Sequence, residues 1–319
     1  MRYRWLLFVC LFAIAVPLAL GQLGTVNSKY GSAAPQWAVV GPVVEPSSTE
    51  IYPNADYSTG GVALRNVGQR SVIVSGSPTT GSIDAIAYWS VLGPIKNADY
   101  YITVRRLWPN PTTAPYMVTV FGTLIAIGGD PCWGSTGNYI FKAHLPTTVV
   151  TGNGNYLISF APAASGLTTG DDPWVHNAFP AMEGAALVVL KTGTHVVSVF
   201  DSQAGITFAG PLSYTLSLLV PTTGQVLWDN IGADGQLGTS LTPTVTGKTT
   251  TVNGTLVAGP GAPDMDSDWD GSAGWPLPEL FDVTGHDVTI AAPAGSLALN
   301  VAFQAQGDCV TTIADVVAQ

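Results

Sequence analysis

Four aspartates stand on alternate positions in PDMDSDWDGSAGW: Asp264, Asp266, Asp268 and Asp270, with Gly271 directly after the last. Charged residues make up only 10% of the chain, so this run concentrates a scarce resource. Carboxylates this close repel one another unless water or a cation screens them. Alternate carboxylates closed by a glycine that permits a sharp turn resemble the opening of a calcium loop, where hard oxygens fill roughly six to eight positions. The run is not an EF-hand, because the twelfth position counted from Asp266 is Leu277 and no helix is expected on either side. Asp229 and Asp234 in WDNIGADGQ are candidate additional ligands. The run therefore predicts bound calcium at Asp264, Asp266, Asp268 and Asp270, with a solvated acidic loop as the alternative.

Trp269 and Trp275 flank the same run. Flat aromatic rings on loops stack on sugar faces, and they also plug the ends of a core. A second polar loop, GDDPWVHN, places Asp171, Asp172, Trp174 and His176 together. A carboxylate can orient an imidazole there, but no nucleophile completes a catalytic set. Asp171 and Asp172 are adjacent, so on an extended chain they point to opposite faces and cannot flank one glycosidic bond as acid and base. The sequence has no G-x-S-x-G, H-E-x-x-H, Walker or G-x-G-x-x-G pattern, and none of His144, His176, His195 and His286 stands at metal-ligand spacing from another. No catalytic residue is assigned. Trp269, Trp275, Trp174 and His176 are the binding candidates.

The elements that must hold these loops are read from composition and periodicity. The chain of 319 residues opens on Arg2 and Arg4, then an apolar run from Trp5 to Leu20, then small residues at Ala19 and Gly21. This is the pattern of a secretory signal peptide cut before Gln22, and it predicts a secreted, cell-surface or periplasmic protein with no membrane insertion afterwards. The remaining chain carries nine basic and twenty-one acidic residues, which leaves no basic patch for nucleic acid. Cys132 and Cys309 are the two cysteines beyond the signal, and an oxidising compartment predicts that they form a disulfide.

Period-two alternation dominates. Leu212, Tyr214, Leu216, Leu218 and Val220 share one face of PLSYTLSLLV, with Ser213, Thr215 and Ser217 on the other. SLALNVAFQ repeats the pattern. ALVVLKTGTHVVSVF reads as a hairpin turning at Thr192 and Gly193, and VAFQAQGDCVTTIADVV as another turning at Gln306–Asp308. Further strands are expected at 62–66, 71–75, 83–92, 99–106, 116–127, 138–143, 155–160, 225–229, 241–246, 249–257 and 286–291, with Gly and Pro in nearly every gap. Many short strands and no amphipathic helix predict an all-β fold: a large antiparallel β-sandwich, jelly-roll-like, with long loops. Residues 22–50 form a leading segment with at most one strand, and 51–319 the sandwich domain. The stretch 161–182 marks an insertion or an internal boundary.

Several segments occur in a telling order: GVALRNVGQRSVIVSGSP (61–78), IDAIAYWSVLG (83–93), PCWG (131–134), GNGNYLISF (152–160), EGAALVVL…VVSVFDS (183–202), DGQ (234–236) and LFDVTG (280–285). Over residues 55–319 the chain resembles a family of secreted bacterial and archaeal surface proteins built on a domain of unknown function. The resemblance implies a secreted β-domain and brings no catalytic residues. The chain departs from that pattern at Lys142-Ala143-His144-Leu145. The expected function is a non-catalytic surface or extracellular-matrix module for adhesion to a glycan or a surface protein. The alternatives are a glycan-active hydrolase using a carboxylate pair and a structural subunit of a surface array.

Overall fold

The computed structural model describes residues 49–65, 68–75, 81–110, 114–130, 134–164, 179–201, 206–208, 211–235, 248–263, 268, 281–304 and 309–319. Within them the strands are β1 (Thr49–Ala63), β2 (Gln69–Val74), β3 (Ser82–Leu92), β4 (Tyr101–Trp108), β5 (Met117–Phe121), β6 (Thr123–Gly128), β7 (Asn138–His144), β8 (Gly154–Ser159) and β9 (Ala181–Asp201). There follow β10 (Ile206–Phe208), β11 (Pro211–Ser217), β12 (Leu227–Ala233), β13 (Thr249–Val252), β14 (Thr255–Ala258), β15 (Phe281–Asp287), β16 (Ala298–Gln304) and β17 (Cys309–Ala318). The one helical element among the described residues is a short 3-10 turn at Asn97–Tyr100. The fold is all-β and antiparallel, as the alternation predicts.

A central sheet runs in the order β15-β12-β17-β9-β3-β7-β6. Strand β1 lines the other edge of β9, and β10 pairs with β17. Two four-stranded sheets flank it, β2-β8-β4-β5 and β11-β16-β13-β14. Strand β9 organises the whole. Its first part pairs with β3, from Leu92 opposite Ala181 to Ser82 opposite Lys191, and its last part with β17, from Ala318 opposite Val197 to Ala314 opposite Asp201.

The hairpin expected over 185–200 does not form. The chain runs straight on through Thr192–His195 as a bulge, because β1 pairs with both parts of β9 and Ala55 faces both Thr192 and His195. Asp56 fills the bulge: its Oδ1 takes His195 Nδ1 at 2.6 Å and the Thr194 amide at 3.3 Å. A Cβ on Gly193 would lie 2.1 Å from the Asp56 carboxyl carbon, so a side chain here would push Asp56 out of the bulge. The second expected hairpin also fails. Strand β16 pairs with β11 and β13 in a flanking sheet, whereas β17 pairs with β12 and β9 in the central one. The chain crosses between layers there, in jelly-roll manner.

Alternation along the central strands then sorts side chains into three cores. Ala85, Ala87 and Trp89 of β3 and Leu187 and Val189 of β9 meet the first flanking sheet. Phe200, Trp228 and Val317 meet the second. Ile86, Tyr88, Val188, Val199, Ile231 and Val316 form a middle core, where the two parts of the central sheet face each other. The layers are therefore flanking sheet, central part, central part, flanking sheet. Even-numbered residues of β9 face the middle core before the bulge and odd-numbered ones after it, the exchange a bulge permits.

Other expected strands shift for local reasons. The stretch 116–127 is split at Gly122, where the Trp89 ring lies 2.1 Å from where a Cβ would be. The stretch 249–257 is a hairpin, with Asn253 and Gly254 both at positive φ, as a tight two-residue turn requires. The strand expected at 286–291 lies at 281–287, and that at 225–229 at 227–233. The one expected at 241–246 lies outside the described residues.

Candidate functional site

Asp268 is the member of the acidic run that the structure describes. It is buried, its Oδ2 accepting the Thr250 hydroxyl at 2.5 Å and its Oδ1 facing His286 Nε2 at 2.8 Å. His286 lies against Trp228, with ring centroids 5.4 Å apart. Asp229, next along β12, is partly buried and accepts the Tyr57 hydroxyl at 2.7 Å and the Thr59 hydroxyl. Burial pushes its carboxyl above the usual range, against the pull of those hydroxyls and of the nearby His286. Asp229 itself turns to Tyr57 and Thr59, while its neighbour Trp228 faces the His286 that contacts Asp268. Asp234 does not share that group: it accepts Asn138 Nδ2 at 2.9 Å and the Thr311 hydroxyl at 2.7 Å. Asp264, Asp266, Asp270, Trp269, Trp275, Trp174, His176 and Cys132 lie outside the described residues, and Cys309 opens β17 opposite Phe208.

The polar face of the second flanking sheet forms a groove of about 610 Å³. It is lined by Ser213 and Thr215 of β11, Asn300 of β16, Thr251 of β13 and the Asn253-Gly254 turn. These are the residues that alternation turns away from the core. They orient one another: Thr215 Oγ1 donates to Asn300 Oδ1 at 2.9 Å, and Asn300 Nδ2 to Asn253 Oδ1 at 2.9 Å. Asn253 Nδ2 is held on the carbonyls of Ala291 and Ala298, at 3.1 and 3.2 Å. No lining residue carries a charge.

A charged cluster lies at the seam where the start of β1 and the end of β9 pass the ends of β3 and β7. His144 Nδ1 contacts Asp84 Oδ2 at 3.0 Å, and its Nε2 contacts Glu50 Oε1 at 3.2 Å. Lys142 bridges Glu50 and Asp201, the latter at 2.7 Å, and Tyr88 donates to the same Asp201 oxygen at 2.6 Å. The Tyr52 hydroxyl lies 2.5 Å from Glu50 Oε2 and 2.8 Å from Asp84 Oδ2. Hydrogen bonds from His144 and Lys142 hold Glu50 far below the usual carboxylate range. Burial works against Asp84, but His144 and Tyr52 prevail and lower it. The Asp84 and Glu50 contacts raise His144 to about 10. His144 remains half exposed.

The opposite end of the same strands carries a drier group. Glu183 is fully buried, with Oε1 taken by Arg65 Nε at 3.0 Å and by a second Arg65 nitrogen. Its Oε2 has no hydrogen-bond partner among the described residues. Burial drives its pKa up to about 8, with Arg65 pulling it down and the charges of Asp234 and Asp130 pushing it further up. Ser90 of β3 donates to Asn138 of β7, which donates in turn to Asp234.

Sequence reasoning missed the seam, because its members are far apart in the chain. One signal was there: Lys142 interrupts the apolar run Tyr139-Ile140-Phe141, and a lysine on a buried strand needs a carboxylate.

No protein-family model and no curated protein matches the chain. Among solved structures, BuGH86 in complex with neoagarooctaose is similar at a TM-score of 0.27 and 11% identity, over 86% of this chain. The chain spans about a third of that protein's length, 34%. N-glycanase F (PNGase F) gives 0.25 and 11%, covering 83% of this chain and 96% of its own. The major capsid protein P2 of bacteriophage PM2 gives 0.24 and 10%, covering 83% and 97%. Likenesses this remote assign no function.

Proposed function

We propose that the protein is an extracellular, non-catalytic β-sandwich module that binds a neutral glycan in the groove between β11, β16 and β13. The groove itself carries this reading: hydroxyls and amides with no charge among them match the mixed donor and acceptor surface of a sugar chain. The hydrogen bonds among Thr215, Asn300 and Asn253 fix these groups before a ligand arrives, so little side-chain entropy is lost on binding. Each hydroxyl still offers lone pairs to solvent after donating its hydrogen. No carboxylate of the described residues lines the groove, so these residues supply neither an acid nor a base for hydrolysis. Calcium on Asp264, Asp266 and Asp270 is compatible with this module, with Asp268 serving the interior instead.

A screen of immobilised neutral glycans, followed by calorimetry on the best binder, tests the reading. A Thr215→Ala, Asn300→Ala double variant should fold normally and bind at least about tenfold more weakly, from the loss of two or three net hydrogen bonds. Unchanged affinity in that variant, or turnover of the bound glycan, overturns it.

A further inference from the structure

The geometry points to a site for a divalent transition-metal ion, such as zinc, cobalt or manganese, formed by Glu50, Asp84 and His144. Each residue offers one ligand atom, and these atoms all lie within 4.8 Å of one another. The three come from β1, β3 and β7, which the sheet pairing holds in register. An ion at about 2.1 Å from each atom needs them roughly 3.5 Å apart, a contraction that partly exposed side chains near strand ends can make.

Counting hydrogens gives a second, separate argument. The Tyr52 hydroxyl has one hydrogen yet sits within hydrogen-bond distance of two carboxylate oxygens, one from Glu50 and one from Asp84. One of those two contacts therefore lacks a hydrogen whenever both carboxylates are ionised. Oxygen faces oxygen at the place where a cation would be coordinated. Charge gives the third argument. Glu50, Asp84 and Asp201 bring three negative charges and Lys142 one positive, so with a neutral imidazole two negative charges remain, which matches a divalent ion. Lys142 does not obstruct the ion, because it also holds Asp201 at 2.7 Å and can rest there.

The donor set selects the class of metal. An imidazole nitrogen with two carboxylate oxygens suits zinc, cobalt or manganese, whereas calcium prefers oxygen alone. Three protein ligands leave a coordination position open to water on the exposed side of His144. Because the ligands bridge the seam between the two parts of the central sheet, an ion there would fasten it.

The site shares no residue with the groove or with the acidic run, and the test keeps them apart. The full chain is titrated calorimetrically with zinc chloride and cobalt chloride, after removal of any metal by a chelator. One ion per chain should bind at this site, and cobalt should give visible absorption bands. The Asp84→Asn, His144→Gln pair should lower affinity by at least about tenfold, while His195→Gln, at the Asp56 pair, changes nothing. Calcium heats, from whatever source, should be indifferent to the pair. Should that variant fold poorly, the wild-type chain still decides: zinc should protect His144 but not His195 from carbethoxylation. Absence of zinc and cobalt binding, binding that survives the paired substitution, or equal modification of both histidines overturns the proposal.

Discussion

The seam cluster and the Glu183 group sit at opposite ends of β3 and β7, and their carboxyls are driven in opposite directions. At the seam, Glu50 and Asp84 are held low by a histidine, a lysine and a tyrosine hydroxyl. At the other end, Glu183 has an arginine, yet burial and the Asp234 and Asp130 charges raise it to about 8. Asp84 and Ser90 are six residues apart on β3, roughly 20 Å. Neighbouring strands thus hold carboxylates in two states at their two ends, Glu50 of β1 and Asp84 of β3 at one and Glu183 of β9 at the other, set by how much water and how many donors each end admits. The seam keeps its charges because it is partly solvated. The Glu183 end is dry, and its Oε2, without a partner among the described residues, makes the charged form costly.

The comparison is broken most severely by removing the ammonium from the seam. Lys142→Met should cost about 3 kcal/mol or more, because Asp201 is buried and would lose its ion pair with Lys142. Chemical denaturation reads the loss directly. Adding Asp201→Asn should restore part of it, since the uncompensated charge is then gone. If Lys142→Met is neutral, the seam is not held by this charge.

Next comes the dry end, where the sign of a pH effect decides. Glu183 has a folded-state pKa near 8, above its unfolded value of about 4.5. Between those values the folded chain binds more protons than the unfolded one. Its contribution is therefore fully present below pH 4.5 and is lost as pH rises through 8. Wild-type stability should fall over that window. In Glu183→Gln the fall should be shallower, by an amount a thermal melt series at pH 5 to 9 resolves. A variant with the wild-type slope would show that Glu183 is ionised throughout and that Arg65 governs it.

What the sequence made legible divides along the same line. Alternation showed the fold class, because each strand with one buried face writes that face into every second residue. It also showed half of the groove, since Ser213 and Thr215 are the polar half of the PLSYTLS alternation. The two hairpins were misread because Thr192-Gly193 and Gln306–Asp308 are good turn chemistry locally, whereas pairing was settled by β1 and by a change of sheet, both long-range. The seam was illegible for the same reason. His144 lies 60 residues from Asp84 and 94 from Glu50, so no spacing links them.

The smallest expected effect sharpens the comparison furthest, because it separates the two ends by salt and by acid. His144 is raised to about 10 by Asp84 and Glu50, so in metal-free protein its share of stability is complete below its unfolded value near 6.5 and fades as pH rises through 10. Glu50 and Asp84 are lowered, so their share is present above about pH 4.5 and is lost as pH falls through their folded values. Of the two ends, the seam is therefore the one that loses stability on acidification below about pH 4. Glu183 is protonated in both folded and unfolded chains by then. His144 and its partners are partly exposed, so screening confines the effect to about 1 kcal/mol or less. Half-molar salt should shrink it further, since the Debye length there is only about 4 Å, but should leave the Glu183 slope intact. Asp84→Asn should blunt the loss between pH 4 and pH 3 relative to wild type, measured as the shift in urea midpoint. Equal acid sensitivity in wild type and Asp84→Asn, at low and at high salt, would mean that the seam charges contribute nothing to stability and that the difference between the two ends is one of burial alone.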